Sequence, residues 1–520
     1  MARRRGQPPV ISAAEAVALV ADGDTLLIEG SGGGIMEPDR LLAALGERYR
    51  ETQSPKGLTL VHTTGIGDRA GAGMDHLAQP GLVRRAVAGN WGMAPEMSRM
   101  ALAGEFEAYN FPQGVMAQMC REMAARRPGV TTHVGLGTFC DPRVDGGKLN
   151  SRTTEDLVSI VNLHGKEWLH YRSQVPTIGF IRATTADEDG NLSIEHEAAR
   201  LEVLAIAQAV RNNGGTVIAQ VKRRAASGSL DPRTVVVPGY CVDAVVVVPD
   251  QRQLVEYDYE PALSGEVRGP ISGVSVMPLT PRKVVGRRGL QEISYDDVVN
   301  LGVGIADGVA AVAAEEGCFD QFMLTVEQGL IGGIPVGGVS FGASYNPVAI
   351  IEQPAQFDFY DGGGLDIAFL GFAQFDRNGN INVSKFNGRL VGSGGFIDIT
   401  QNTKTVCFCG TLTAGGLEVE IGDGRMSIVA EGRHAKAVPE VEHITFNGRW
   451  AAERRQRVLL ITERAVLSFE ENGWHLIEVA PGVDMQTEVL DLIPFPVQAT
   501  EVRLMDEILF IDSPMEWKVE

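Results

Sequence analysis

Unbroken apolar runs of strand length recur along this chain with helical stretches between them, and that alternation limits the fold more than any other feature. Ala244-Val245-Val246-Val247-Val248 has no polar face. A strand apolar on both sides must be covered on both sides, which is the situation of a parallel sheet flanked by helices. Residues 25–29 read as such a strand, 30–34 as a glycine loop, and 38–48 as a helix with Leu41, Leu42 and Leu45 on one face. Further strands are expected at 58–62, 132–135, 177–182 and 216–221. The fold class that follows is α/β, built on mostly parallel sheets.

Two short patterns each occur twice. Asp187-Glu188-Asp189-Gly190-Asn191-Leu192-Ser193-Ile194 matches Asp376-Arg377-Asn378-Gly379-Asn380-Ile381-Asn382-Val383 in chemistry, an Asp-led turn running into a strand. Gly30-Ser31-Gly32 ahead of one helix likewise resembles Gly302-Val303-Gly304 ahead of the helical stretch 307–316. Duplication of one α/β unit is the expectation, with more chain between the two marks in the first half. A length of 520 residues suits two large lobes. Between them Gly265, Gly269, Pro270, Gly273, Pro278 and Pro281 punctuate a stretch that also carries Arg282, Lys283, Arg287 and Arg288. The expected domains are residues 1–262 and 291–520, joined by a linker at 263–290.

Charge and motif content exclude several functions. A formal net charge of −20 opposes nonspecific binding to nucleic acid or anionic membrane, which requires a positive footprint. The basic Arg3-Arg4-Arg5 is followed by a stretch broken by Glu15, Asp22 and Asp24, so no signal peptide is read, and no apolar run approaches a membrane span. Six cysteines, Cys120, Cys140, Cys241, Cys318, Cys407 and Cys409, show no metal-site spacing and fit a reduced, cytoplasmic protein. Cys407 and Cys409 share one face of an apparent strand and read as packing residues. The histidines form no metal-ligand motif, so no catalytic metal is expected. Gly65-Ile66-Gly67 and Gly135-Leu136-Gly137 lack the third glycine of a dinucleotide loop, and no phosphate-binding P-loop occurs.

Against that background one carboxylate stands out. Leu324-Thr325-Val326-Glu327-Gln328-Gly329 delivers an acid from a strand end onto a loop that continues with Gly332, Gly333, Gly337 and Gly338. Bare backbone admits close approach of a substrate carbonyl, as acyl transfer requires; on pattern alone, an exposed strand-end glutamate is the competing reading. Gly392-Ser393-Gly394-Gly395-Phe396 is a second exposed-backbone loop, whose amides could donate to an oxyanion or simply form a turn. Ser31 sits in no intact nucleophile elbow and reads as a turn residue. Gly362-Gly363-Gly364 between Asp361 and Asp366 reads as a sharp turn with solvated acids.

The stretch 325–415 carries Glu327-Gln328-Gly329, Gly332-Gly333-Ile334-Pro335, residues 356–364, residues 379–386 and Gly394-Gly395-Phe396, and it resembles the family I coenzyme A transferases of the fused short-chain acyl type. The likeness continues through the first half in Gly30 to Gly34, Phe111-Pro112-Gln113-Gly114, Asp141-Pro142-Arg143 and Thr184-Thr185-Ala186-Asp187. The resemblance implies two similar α/β CoA-transferase subdomains in one chain. It implies Glu327 as nucleophile, Gly302, Val303, Gly304, Ile305, Asn382, Gly394 and Gly395 as oxyanion and CoA-binding residues, and Gln113 on the substrate side. An ordinary turn-to-strand residue stays the alternative for Asn382, and Lys385 and Arg389 are candidates for the CoA phosphates. The implied reaction is ping-pong transfer of CoA between a short-chain acyl-CoA and a short-chain carboxylate through acyl-glutamyl anhydride and glutamyl-CoA thioester. No permanently bound cofactor is expected, CoA and acyl-CoA being substrates, and a cytoplasmic homodimer or homotetramer is implied. An acyl-CoA hydrolase on the same scaffold and a noncatalytic binding module are the alternatives.

Overall fold

The computed structural model describes residues 7–270, 276–302 and 304–517. Arg3, Arg4, Arg5, Gly273 and Val303 lie outside the described residues. The chain forms two compact units: Met1–Gly269 with Glu327–Asp358 and Gly388–Asp398, and Pro270–Val326 with Phe359–Asn387 and Ile399–Glu520.

The first unit is organised around seven parallel strands, β1 (Thr25–Ile28), β2 (Leu58–His62), β3 (Val83–Ala88), β4 (Glu107–Asn110), β5 (Ile178–Asp187), β6 (Thr216–Ala225) and β7 (Ala244–Val247). Their order is β7-β6-β5-β1-β2-β3-β4, every pair parallel. Helices α1 (Asp39–Thr52), α2 (Gln113–Ala124) and α3 (Val203–Asn212) belong to this unit. In α1, Leu41, Leu42, Leu45 and Tyr49 recur at helical spacing and join one core with Leu26, Ile28, Leu58 and Leu60 of the sheet. The chain runs outward from β1 to β4 and then returns to the other side of β1, so β1 and β5 flank a topological switch, where crevices form beyond the carboxyl ends of parallel strands.

The second unit repeats that plan. Strands β8 (Val298–Leu301), β9 (Met323–Val326), β10 (Ile367–Gly371), β11 (Thr405–Cys409) and β12 (Arg457–Ile461) are parallel in the order β9-β8-β10-β11-β12. β13 (Ala465–Glu470) and β14 (Gly473–Val479) extend the sheet antiparallel. Here the chain reverses after a single outward strand, β9. That accounts for the unequal halves: the first unit adds two more outward strands and a three-stranded antiparallel sheet of Gly129–Thr132, Val158–Leu163 and Lys166–Arg172.

The duplicated turns are the same structure atom for atom. Asp187 Oδ1 accepts from the amides of Asp189 (3.0 Å) and Asn191 (2.8 Å), and its Oδ2 from Asn191 Nδ2 (2.9 Å). Asp376 Oδ1 accepts from Asn378 (2.9 Å) and Asn380 (3.1 Å), and its Oδ2 from Asn380 Nδ2 (3.1 Å). Each Asn then accepts a glycine amide from a distant segment, Gly239 in one case and Gly448 in the other.

Two expectations shift. The strand expected at 132–135 ends where that reading begins: Gly129–Thr132 pairs with Lys166–Arg172 outside the parallel sheet, and Gly135 at φ +95° turns the chain away. The stretch read as linker contains a buried helix, α4 (Pro281–Leu290), with Pro281 in its first turn. Its basic residues are structural. Arg287 donates to the carbonyls of Ile508 (3.0 Å), Ile511 (2.7 Å) and Ser513 (2.6 Å), and Arg288 pairs with Glu478 and Glu292. Cys407 and Cys409 are buried in the second core, as read. Among the described residues no helix is long and apolar enough to cross a membrane.

Candidate active site

In the first unit the loops leaving the carboxyl ends of β1, β2, β3 and β4 all gather glycine, Thr or Asn: residues 30–34, 63–67, 89–92 and 110–114. Two segments from the second half of the sequence are seated on them. Val391 O accepts from the amides of Trp91 (2.7 Å) and Gly92 (2.9 Å), Ser393 N donates to Asn110 Oδ1 (2.8 Å), and Gly394 N donates to Gly89 O (2.8 Å). Gln328 Nε2 reaches Ser31 Oγ at 3.3 Å, so the buried Ser31 serves as an anchor of the turn.

Glu327 opens the other segment. It is half-buried, on a three-residue turn between β9 and the short strand Leu330–Ile331. The turn is held by Gly329, which has φ +100°, accepts from Ile351 N (2.8 Å) and would place a Cβ 2.2 Å from Ile351 O. Gly33 makes a second approach of this kind, with its Cβ position 2.2 Å from Val339 O. Thus both loops need bare backbone because another backbone lies against them.

Gln113, the first residue of α2, is buried and donates its amide to Gly394 O at 2.9 Å. A Cβ at Gly394 would find Asn90 Nδ2 at 3.5 Å and Gln113 Oε1 at 3.6 Å, with nothing nearer. That open face is a niche between two side-chain amides. Asn90 Oδ1 is taken by Gly92 N (2.9 Å), which turns Nδ2 toward the niche as a donor. Behind Gln113, its Nε2 donates to Gln353 Oε1 (3.5 Å), whose Nε2 donates to Glu202 Oε2 (3.1 Å).

Beneath these loops the unit buries several ionisable side chains. Burial raises Glu29 well above the carboxylate range and brings Glu37 up to about 8. Burial likewise lowers His62 to about 4, so its ring is neutral and donates Nδ1–H to Thr64 O at 2.5 Å. Arg182 spans the floor, paired with Glu197 at 2.9 Å and donating to the carbonyls of Gly34 (3.0 Å) and Glu37 (3.2 Å). Among the described residues no group of three His, Cys, Asp or Glu side chains is placed to hold a metal ion.

The expected site residues therefore divide. Glu327, Gln113, Gly394 and Gly395 belong to the first unit; Gly302, Gly304, Ile305 and Asn382 belong to the second, and Val303 lies outside the described residues. The N–H of Gly394 donates to Gly89 O, and its Cα face is open. Asn382 is fully buried, and its Nδ2 donates to Gln374 Oε1 and Lys385 O, both at 2.8 Å. Ile305 packs at the edge of the second core, whereas Gly304 is exposed at φ +101° with open space around it. Lys385 is half-buried and Arg389 exposed. Sequence reading missed Asn90, Gln353 and Glu202, which follow no motif and meet Gln113 and Gly394 only through the order of the sheet.

The family model for coenzyme A transferase matches residues 10–248. Over 99% of its length this chain is 50% identical to the acetate CoA-transferase YdiF of Escherichia coli K12, covering 97% of that protein. The chain belongs to the coenzyme A transferase family. The caffeate CoA-transferase of Acetobacterium woodii is 44% identical, with 97% of each chain covered. Crystal structures of the acyl-CoA transferase YdiF from Escherichia coli O157:H7, as apoenzyme and as a thioester complex with CoA, superpose with TM-scores of 0.96 and 0.95 at 48% identity, covering 100% of this chain and 99% of theirs. This CoA transferase is thus an enzyme that shares its whole length, both units included, with acyl-CoA transferases.

Proposed function

We propose that this CoA transferase moves CoA between short-chain acyl-CoA and a short-chain carboxylate, acetate or propionate, with Glu327 as nucleophile. The observation that carries the reading is the turn itself. A half-buried carboxylate stands on backbone that tolerates no Cβ at Gly329, in the same unit as the niche over Gly394. The acetate-specific name and the CoA thioester complex of the Escherichia coli relatives support the substrate class.

In the first half-reaction a Glu327 oxygen adds to the acyl carbonyl carbon, the C–S bond breaks, and CoA leaves as thiolate from a mixed anhydride. The thiolate then attacks the glutamyl carbonyl carbon, and the original acyl group departs as a free carboxylate. A glutamyl-CoA thioester remains, and an incoming carboxylate reverses both steps. Each tetrahedral oxyanion requires donors; Asn90 Nδ2 and the amide of Gly395, for which no backbone acceptor is found among the described residues, are the candidates in the first unit. Gln113 faces the substrate from the opposite wall of the niche. CoA and acyl-CoA come and go as substrates, and no resident cofactor takes part.

Borohydride trapping tests the covalent step. After incubation with acetyl-CoA, reduction of a glutamyl thioester leaves the residue-327 peptide lighter by a carboxyl-to-alcohol change; an unmodified Glu327 refutes the assignment. Incubating acetyl-CoA with propionate separates transfer from hydrolysis: propionyl-CoA is expected, and free CoA without it is the hydrolase outcome.

A further inference from the structure

Gln113, Gln353 and Glu202 come from three distant parts of the sequence and form one buried line, with exposures of 3%, 0% and 2%. Glu202 stands at the N-cap of α3, where a carboxylate would ordinarily accept from the helix amides. It makes no such bond; its Oε2 accepts from Gln353 Nε2 instead. The adjacent Leu201 holds φ +45°, a conformation that costs a branched side chain energy, and its carbonyl accepts the Gln353 amide at 3.1 Å. Residues 201–202 therefore grip Gln353 by backbone and side chain together, at the expense of helix capping and backbone comfort. A packing role for a glutamine requires neither.

A carboxylate accepts and does not donate, so it sets the direction of everything attached to it. Glu202 takes the Gln353 NH2, which leaves Gln353 Oε1 facing Gln113. Gln113 must then present its own NH2 to Gln353, and its Oε1 is the atom found beside Gly394. We propose that Glu202 and Gln353 are positioning residues of the transfer reaction, fixing through this donor sequence which edge of the Gln113 amide meets the substrate. The inference rests on the reading of Gln113 as a substrate-side residue.

The state of Glu202 is the control point. Burial, only partly offset by the polar Thr63 hydroxyl and reinforced by the Glu352 carboxylate nearby, brings it up to about 7. The other titratable groups facing it are Glu29, itself raised by burial, and the Cys120 thiol, also raised and hence neutral. Once protonated, Glu202 no longer takes the Gln353 NH2 as an ionised acceptor, and the line loses its direction. Transfer should accordingly weaken as the pH falls through about 7.

A double-mutant cycle with a pH profile tests this on the full-length enzyme, using acetyl-CoA and propionate. Gln113→Ala alone should lower kcat/KM strongly; turnover equal to wild type would sink the reading of Gln113 itself. Glu202→Gln should lower kcat/KM about ten- to a hundredfold in the wild-type background, as misplacement of a substrate-positioning group does, and less than about twofold once Gln113 is alanine. It should also flatten the profile between pH 6 and 8, because the amide never ionises. Equal losses in both backgrounds, or a bend near pH 7 that survives Glu202→Gln, overturns the proposal while leaving Gln113 in place. Gln353→Met keeps the buried volume and breaks the same line. It should show the same dependence on Gln113, and independence there overturns the proposal equally if Glu202→Gln folds poorly.

Discussion

At the scale of single residues, the chemistry turns on which hydrogen-bonding atoms are already occupied. Glu327→Ala removes the proposed nucleophile from a turn held by the backbone contact of Gly329 with Ile351. Transfer should drop by about 10⁴-fold or more while stability changes by less than about 1 kcal/mol; a folded variant with ordinary turnover would rule the role out. Asn90 allows a finer test. Asn90→Asp keeps the oxygen that accepts from Gly92 N but replaces the donor at the niche with a second acceptor. Loss of one oxyanion donor lowers kcat about a hundredfold in comparable sites, and that loss is expected here with Tm nearly unchanged. A variant that keeps wild-type kcat would place the oxyanion elsewhere.

At the scale of elements, the repeat makes a paired prediction. Asp187 organises its turn through three acceptor contacts, and Asp376 organises the matching turn through the same three plus the Val441 amide at 3.3 Å. Asp187→Ala and Asp376→Ala should each cost about 1–3 kcal/mol, since partly buried amides lose their acceptor, with Asp376→Ala the costlier by its extra Val441 contact. Urea midpoints check this, and a large cost at one turn beside none at the other would mean that the likeness is only geometric. These elements also show why the chain was readable where it was. Strands apolar on both faces, such as β7, and the leucine stripe of α1 declare themselves because burial and period are both written locally. The Asp-Gly-Asn turns are equally local, their hydrogen bonds spanning four residues. The segment 281–290 misled because proline and clustered basic residues resemble a linker, whereas Arg287 and Arg288 find acceptors some two hundred positions away. Asn90, Gln353 and Glu202 were illegible for the same reason. Glu327 is singled out by the resemblance alone, since a strand-end glutamate is otherwise a common surface feature.

At the scale of the whole molecule, the burial of acids beneath the loops of the first unit also sets how stability responds to pH. Glu37 is raised to about 8 from an ordinary carboxylate value of 4.5, and its Oε2 accepts the Gly67 amide. In that window the folded chain holds a proton that the unfolded chain has released, so stability is full below the unfolded value and falls as pH rises through the folded one. The slope is about 1.4 kcal/mol per pH unit for each such group. Glu29 acts with the same sign, and self-repulsion of a chain with net charge −20 adds to it at higher pH. Carboxylates held low by arginine partners, Asp141 beside Arg143 and Glu292 beside Arg288, act oppositely and lose their contribution as pH falls. The optimum therefore lies between two opposed sets of acids, and Glu37→Gln should move it upward. Urea unfolding followed at pH 5.5, 6.5 and 7.5 should show the variant gaining on wild type by about 1.4 kcal/mol with each unit. A constant difference would mean Glu37 is ionised in the fold, and the crevice floor would then be wet. That outcome would also weaken the chemistry proposed above, because Asn90 and Gly395 can stabilise an oxyanion strongly only where water does not screen them.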